Sequence, residues 1–180
     1  KNLERLDISL SEENQGKVLR RVVELGDSKK VITTDDLPFI IAEVLESEDY
    51  NHVELLACSF HSAMDLESTA SIRIRVRDEV YTAAGSGNGG FDAFMNALSK
   101  VLKRQGISLP SLLDYEVRIP KGGRTDALTE CIITWEAEPG GEVRTRGVHY
   151  NQVFAAINAT LRMVNVRVHR ALQERPPAEA

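Results

Sequence analysis

The stretch "YTAAGSGNGGFDAFMNALSKVL", Tyr81–Leu102, decides how the chain is read. Strand-forming residues lead into a glycine-rich turn, and the turn opens an amphipathic helix. Gly85, Gly87 and Gly90 formally satisfy G-x-G-x-x-G, the fingerprint of a dinucleotide site. That fingerprint carries weight only inside a parallel β-α-β unit, with an acidic residue about twenty positions further on for the ribose hydroxyl. Asp114 stands at a workable distance, but the elements before the loop read as hairpin-linked strands and predict antiparallel sheets. Gly87, Asn88, Gly89 and Gly90 then read as backbone N–H donors at a helix start, where glycine lets a ligand or another backbone come close. Asp92 in the first turn complements the helix dipole, and it is equally placed to pair with a ligand ammonium.

Working outward, "VELLACSF", "TASIRIRVR" and "EVYTAA" alternate as strands before the helix from Phe91 to about Arg104. After Gly106 the order begins again, with "LLDYEVRI", "ALTECIITWEA", a Pro-Gly-Gly turn at 139–141, "EVRTRGV" and a helix from about Asn151 to Ala171. This is a βββα unit repeated with a period near sixty residues. Ala93-Phe94 and Val153-Phe154 take equivalent places in the two units, as do Ala70 and Ala127 at the start of each second strand. The fold class is α+β, with two pseudo-symmetric units at about 51–106 and 107–172 forming one domain over 51–175. Residues 176–180, in the polar, proline-containing end, read as a frayed tail.

Residues 1–50 read as a short helical linker subdomain. Ser11 is a plausible N-cap, Val18, Val22 and Leu25 share a helix face, and Gly26 stops the helix. Thr33-Thr34-Asp35-Asp36 offers a capping box before "LPFIIAEVL". Two short apolar stripes make a poor core of their own, which suits a docking or linker piece. The chain begins with Lys, as a piece of a longer protein would.

The net charge of −5 argues against a phosphate-driven nucleic-acid binder. Arg73, Arg75 and Arg77 alternate with Ile72, Ile74 and Val76, the pattern of a solvated sheet face. Cys58 and Cys131 lie in apolar strand-like runs and read as buried free thiols of a reducing cytoplasm. No apolar run approaches the length of a membrane span, and no leader is visible. His52, His61, His149 and His169 are scattered without metal-ligand spacing and read as surface or sheet-edge histidines. With no G-x-S-x-G and no activated thiol, the chain reads as a binding module without catalytic residues. N–H donors, a carboxylate and apolar walls together suit an aliphatic amino acid.

Three segments carry a more specific signal: "GSGNGGFDAFMNAL", "LLDYEVRIPKGGRTDALTECIITW" and "GVHYNQVFAAINATLRMVN". They resemble the C-terminal regulatory domain of the 2-isopropylmalate synthase and citramalate synthase family, enzymes that condense acetyl-CoA with a 2-oxo acid. The helical start resembles the subdomain joining that domain to the catalytic barrel, so the resemblance covers nearly the whole chain. It implies two βββα units that form a homodimer, with an end-product amino acid bound at the dimer interface. The implied effector pocket takes Phe91 and Asp92 at the helix start, then Leu112, Tyr115 and Ile119 in "LLDYEVRI". It also takes Thr125 and Thr129 in "RTDALTE", and Tyr150 and Gln152 in "GVHYNQ". Strand period agrees in part, because Tyr115 and Ile119 are four apart and share a face, as do Thr125 and Thr129 if the strand already runs there.

The resemblance further implies that the parent is an acyltransferase whose divalent metal and acetyl-CoA ligands lie in a barrel absent from this chain. No cofactor is expected here, and no activity. Leucine is the expected effector, inhibiting condensation with 2-oxoisovalerate. Isoleucine acting on a citramalate synthase is the nearest alternative, since the two side chains differ only in a branch point, a discrimination worth about 1–3 kcal/mol. A dinucleotide-dependent enzyme and an empty dimerisation module are the more distant ones.

Overall fold

The computed structural model describes residues 12–27, 37, 40–41, 51–118, 129–137 and 140–173. Helix α1 (Glu12–Asp27) precedes two βββα units. The first comprises β1 (Val53–His61), β2 (Ser68–Val76), β3 (Glu79–Gly87) and α2 (Gly90–Arg104). The second comprises β4 (Leu112–Arg118), β5 (Thr129–Ala137), β6 (Gly141–His149) and α3 (Gln152–Gln173). Each unit forms its own three-stranded sheet, ordered β1-β2-β3 and β4-β5-β6, with every neighbouring pair antiparallel. The α+β class read from the alternation therefore stands, and no parallel β-α-β unit surrounds the glycine loop.

Alternation explains the sheets. In β2 the residues Ala70, Ile72, Ile74 and Val76 are buried, while Thr69, Ser71, Arg73 and Arg75 face outward. Arg75 pairs with Glu54 across that outer face, so Arg73 and Arg75 form the solvated surface expected, whereas Arg77, just past the strand end, is half-buried with its Nε covered. In β5 both faces are largely buried, and Trp135 donates its indole N–H to Thr145 at 2.8 Å inside the second core. Burying an indole leaves its donor in need of a partner, and Thr145 on the neighbouring strand supplies it.

Helix α3 joins the two cores. Ile157, Val164 and Val168 belong to the core under the first sheet. Ala155, Ala156, Ala159, Met163 and Val166 belong to the core under the second. A helix apolar on more than one side needs cover on more than one side, and α3 packs on β5 and β6 while also touching β1 and α2. Asn165 fixes that crossing: its carboxamide accepts from the Val53 N–H at 2.7 Å and donates to the Val53 carbonyl at 3.0 Å.

The repeat is real and its spacing is close to the sixty residues expected, but the residues that correspond are not the expected ones. Gly85 on β3 is pressed against Ala93 and Ala97 of α2, and Gly147 on β6 against Ala155 and Ala159 of α3, a spacing of 62 residues. Asn96 donates to the Ser86 carbonyl and Asn158 to the Val148 carbonyl at the same spacing. Ala93-Phe94 thus corresponds to Ala155-Ala156, not to Val153-Phe154. Ala70 lies opposite Gly85 and Cys131 opposite Gly147, so Cys131 is the counterpart of Ala70; Ala127 lies outside the described residues. The physical reason is that the strand connections are longer in the second unit, so likeness of residue type drifts from likeness of position.

At the N-terminus, Val18 is buried as expected, whereas Gly26 lies inside the last turn of α1 and does not stop it. A helical glycine costs about 1 kcal/mol relative to alanine, which weakens a helix without ending it. Ser11, the capping box at 33–36 and the tail at 176–180 lie outside the described residues. Cys131 is buried and Cys58 partly so; both thiols are free. Among the described residues no helix is long and apolar enough to cross a membrane.

Candidate functional site

The glycine loop is shaped first by packing. A Cβ at Gly85 would stand 2.5 Å from the Ala93 carbonyl oxygen, and one at Gly87 2.5 Å from the Asp92 carboxylate. A Cβ at Gly90 would meet the ring of Phe60 at 2.7 Å. Only glycine lets the helix start sit this close to β1 and β3. Gly89 is different: it is the N-cap of α2 in extended backbone, has no side chain to cap with, and faces open space. Asp92 compensates from within the first turn by accepting the Asn88 N–H at 2.9 Å. Its carboxylate thereby orders the loop and also lies beside the N-terminal N–H groups of the helix.

In the second unit the same positions carry side chains. Asn151 caps α3, its Oδ1 accepting from the Val153 N–H at 2.8 Å and from the Phe154 N–H at 3.4 Å. His149 Nδ1 accepts the Asn151 N–H at 2.9 Å, which sets the loop's entry into the helix.

The two helix starts converge on one aromatic cluster. Phe60, at the end of β1, touches Gly90 of α2 and meets Phe154 of α3 in a tilted ring contact at 5.4 Å. Phe154 lies 5.1 Å from His149, which in turn meets Tyr150 edge-on at 6.2 Å. On the other flank Phe91 lies 5.3 Å from Tyr115 on β4. Burial raises the Tyr115 phenol to about 12, with Cys131 beside it adding to the effect. Burial likewise raises the Cys131 thiol to about 11. Both groups are neutral at physiological pH, so Tyr115 offers an O–H and Cys131 is no thiolate nucleophile.

The structure thus unites Phe91 with Tyr115 by ring contact and Asp92 with Gly87 and Asn88 through the loop. Thr129 stands opposite His149 in the β5–β6 ladder, bringing it to the Tyr150 side of the cluster. Gln152 is the first residue of α3. Leu112 lies opposite Trp135 at the far end of β4; a bulge at Leu113 puts it on the same face as Tyr115 although the two are three residues apart. Ile119 and Thr125 lie outside the described residues, so the face each shares with Tyr115 or Thr129 is an expectation about residues not described.

Phe60, His149 and Phe154 were not among the effector-site residues expected. The signals were present but weak: Phe60 continues the inward alternation of β1, and His149 directly precedes the segment "YNQ". His149 does end an edge strand, as expected. His52 and His169, by contrast, are scattered only in sequence, since their rings stack and Nε2 of one lies 2.9 Å from Nδ1 of the other. Among the described residues no three histidine, cysteine, aspartate or glutamate side chains gather as a metal ion would require.

A glycine-tight helix start, a partner helix start and an aromatic bridge between them lie side by side. The profile of the LeuA allosteric (dimerisation) domain matches residues 31–168, from the N-terminal segment into α3. The chain belongs to this family. As a LeuA allosteric domain it is 36% identical over 169 residues, 92% of its length, to a protein of Methanopyrus kandleri named as a 2-isopropylmalate synthase. It is 32% identical over 182 residues, 99% of its length, to the 2-isopropylmalate synthase of Shouchella clausii. A protein of Methanosarcina mazei named as an (R)-citramalate synthase is 28% identical over 91% of the chain. This LeuA allosteric domain spans about a third of the length of these relatives, 33% or 34% in each case.

Proposed function

We propose that the chain is the feedback-regulatory domain of a 2-isopropylmalate synthase, that it binds leucine at the interface of a homodimer, and that it inhibits condensation of acetyl-CoA with 2-oxoisovalerate in a separate catalytic barrel. The observation that carries this reading is the convergence of two helix starts, Asp92 and the Phe91–Tyr115 pair beside β4. β4 is an edge strand whose Leu113 is 50% exposed and whose Tyr115 and Val117 are each 37% exposed. An apolar edge of this kind calls for a partner.

In this reading Asp92 pairs with the leucine ammonium, and N–H groups of the glycine loop take its carboxylate. Phe91, Leu112, Tyr115 and Ile119 wall the isobutyl group. Thr125, Thr129, Tyr150 and Gln152 orient the polar end from the second unit. Leucine then favours one arrangement of the dimer, and residues 1–50 pass that bias to the barrel, with a coupling of about 1–3 kcal/mol typical of such effectors. The parent is an acyltransferase of the cytoplasm, its divalent metal and its acetyl-CoA site belong to the barrel, and the present chain has no activity alone.

Calorimetric titration of this chain with leucine, isoleucine and valine is the test. Saturable heat with leucine in preference to isoleucine supports the reading. The reverse preference moves the chain to a citramalate synthase, a reading favoured by the match to the Methanosarcina mazei protein. Silence from every amino acid leaves a dimerisation module with an empty pocket. Leucine binding undiminished in Asp92→Ala would remove Asp92 as the ammonium partner.

A further inference from the structure

Away from the helix starts, a cleft of about 710 Å³ opens between the segment after α2, the β5–β6 end of the second sheet and the C-terminal half of α3. Its size falls within the about 300–1,000 Å³ of small-molecule sites. Ile107 and Leu109, with the nearly covered Met163 and Val166, make the apolar part of its lining, beside Ser108 and Ser111. Arg167 and Arg170 line one wall, three apart and so on one face of α3. Among the described residues neither arginine forms an ion pair. Glu136 is the acidic residue of the lining, which leaves the cleft with a surplus of one positive charge.

The helix dipole accounts for a basic side chain in the last turn of α3, where Arg170 lies. It does not account for Arg167 a turn earlier on the same wall, beside the apolar part of the lining. Guanidinium groups match carboxylates in planar, bidentate geometry, and two of them beside apolar side chains select an anion with an apolar body. We propose that this cleft is a second ligand site, separate from the helix starts, that binds a small aliphatic monocarboxylate.

Isovalerate is a suitable probe, because it carries the carboxylate and the branched body but no ammonium for Asp92. Binding is read by titration calorimetry and by the emission of Trp135, the chain's one tryptophan, which packs with Met163, Val166 and Val143 in the core beneath the cleft. The expected result is saturable isovalerate binding that weakens about tenfold or more in the Arg167→Gln/Arg170→Gln double variant and is unchanged in Asp92→Asn. The double variant keeps the parent's circular dichroism and its response to leucine. Should that variant fail to fold, amide shifts on adding isovalerate to the unaltered chain serve instead: they fall on Ile107, Leu109 and Val143, not on Phe91 and Asp92. No saturable binding up to about 10 mM, binding insensitive to both arginines, or shifts confined to the helix starts would overturn the proposal.

Discussion

A methyl group added at Gly147 would fall inside contact distance of the Ala155 carbonyl, tighter still than one at Gly85 against Ala93. Both obstacles are helix backbone, which cannot rotate away. Gly147→Ala is therefore expected to destabilise the chain by about 3 kcal/mol, at the upper end of overpacking costs. Gly89→Ala, facing open space, should cost about 1 kcal/mol or less. Urea denaturation of the two variants measures the contrast, and equal losses would mean that the helix does not press on β6. The sequence exposed the glycines of the first loop but gave no cue to Gly147, whose role is fixed by the small residues packed beneath it. Tyr115 and Cys131 make a second case. Their folded values are raised above those of the exposed groups, so the stability they confer is complete below about pH 8.5 and is lost as pH rises through about 11 and 12. Denaturation midpoints should fall over that alkaline window, and fall less in Tyr115→Phe. Under native conditions Cys58 should react with a thiol reagent before the fully buried Cys131.

The helices of the two units are built differently on the same plan. α2 has 15 residues and starts at a glycine cap supported by Asp92, whereas α3 has 22 residues and starts at an asparagine cap. Asn151→Ala should cost about 1 kcal/mol of global stability and fray the first turn of α3, with faster hydrogen exchange at Val153 and Phe154. An unchanged exchange rate there would show that packing on Phe60 alone holds the turn. Asn165 meets Val53 within the length the two helices share, and the extra length of α3 carries it on to His169, which meets His52. Element type and approximate bounds were legible because period 2 and period 3.6 are local properties. The bulge at Leu113 was not: alternation counts every residue, and only the β4–β5 register shows which one is skipped.

For the whole molecule, the exposed apolar side chains of β4 and membership of the LeuA allosteric (dimerisation) family both support the proposed homodimer. Leu113 is the bulge residue of that edge, outside the pairing register, so Leu113→Asp should leave the fold intact. It is expected to weaken the dimer by about tenfold or more in sedimentation equilibrium and to abolish the leucine heat with it. A dimer of undiminished strength would take β4 out of the interface. What the sequence determined by itself was the α+β class, the repeated βββα order and the glycine loop as a helix start, because each follows from residue periodicity and turn chemistry over a few neighbours. Tertiary structure alone decided that both helix starts meet on Phe60, that His52 finds His169, and that Ala93 corresponds to Ala155. Those facts depend on how two sheets and two helices stack, and stacking is set by the shapes of surfaces far apart in the chain, which no local pattern records.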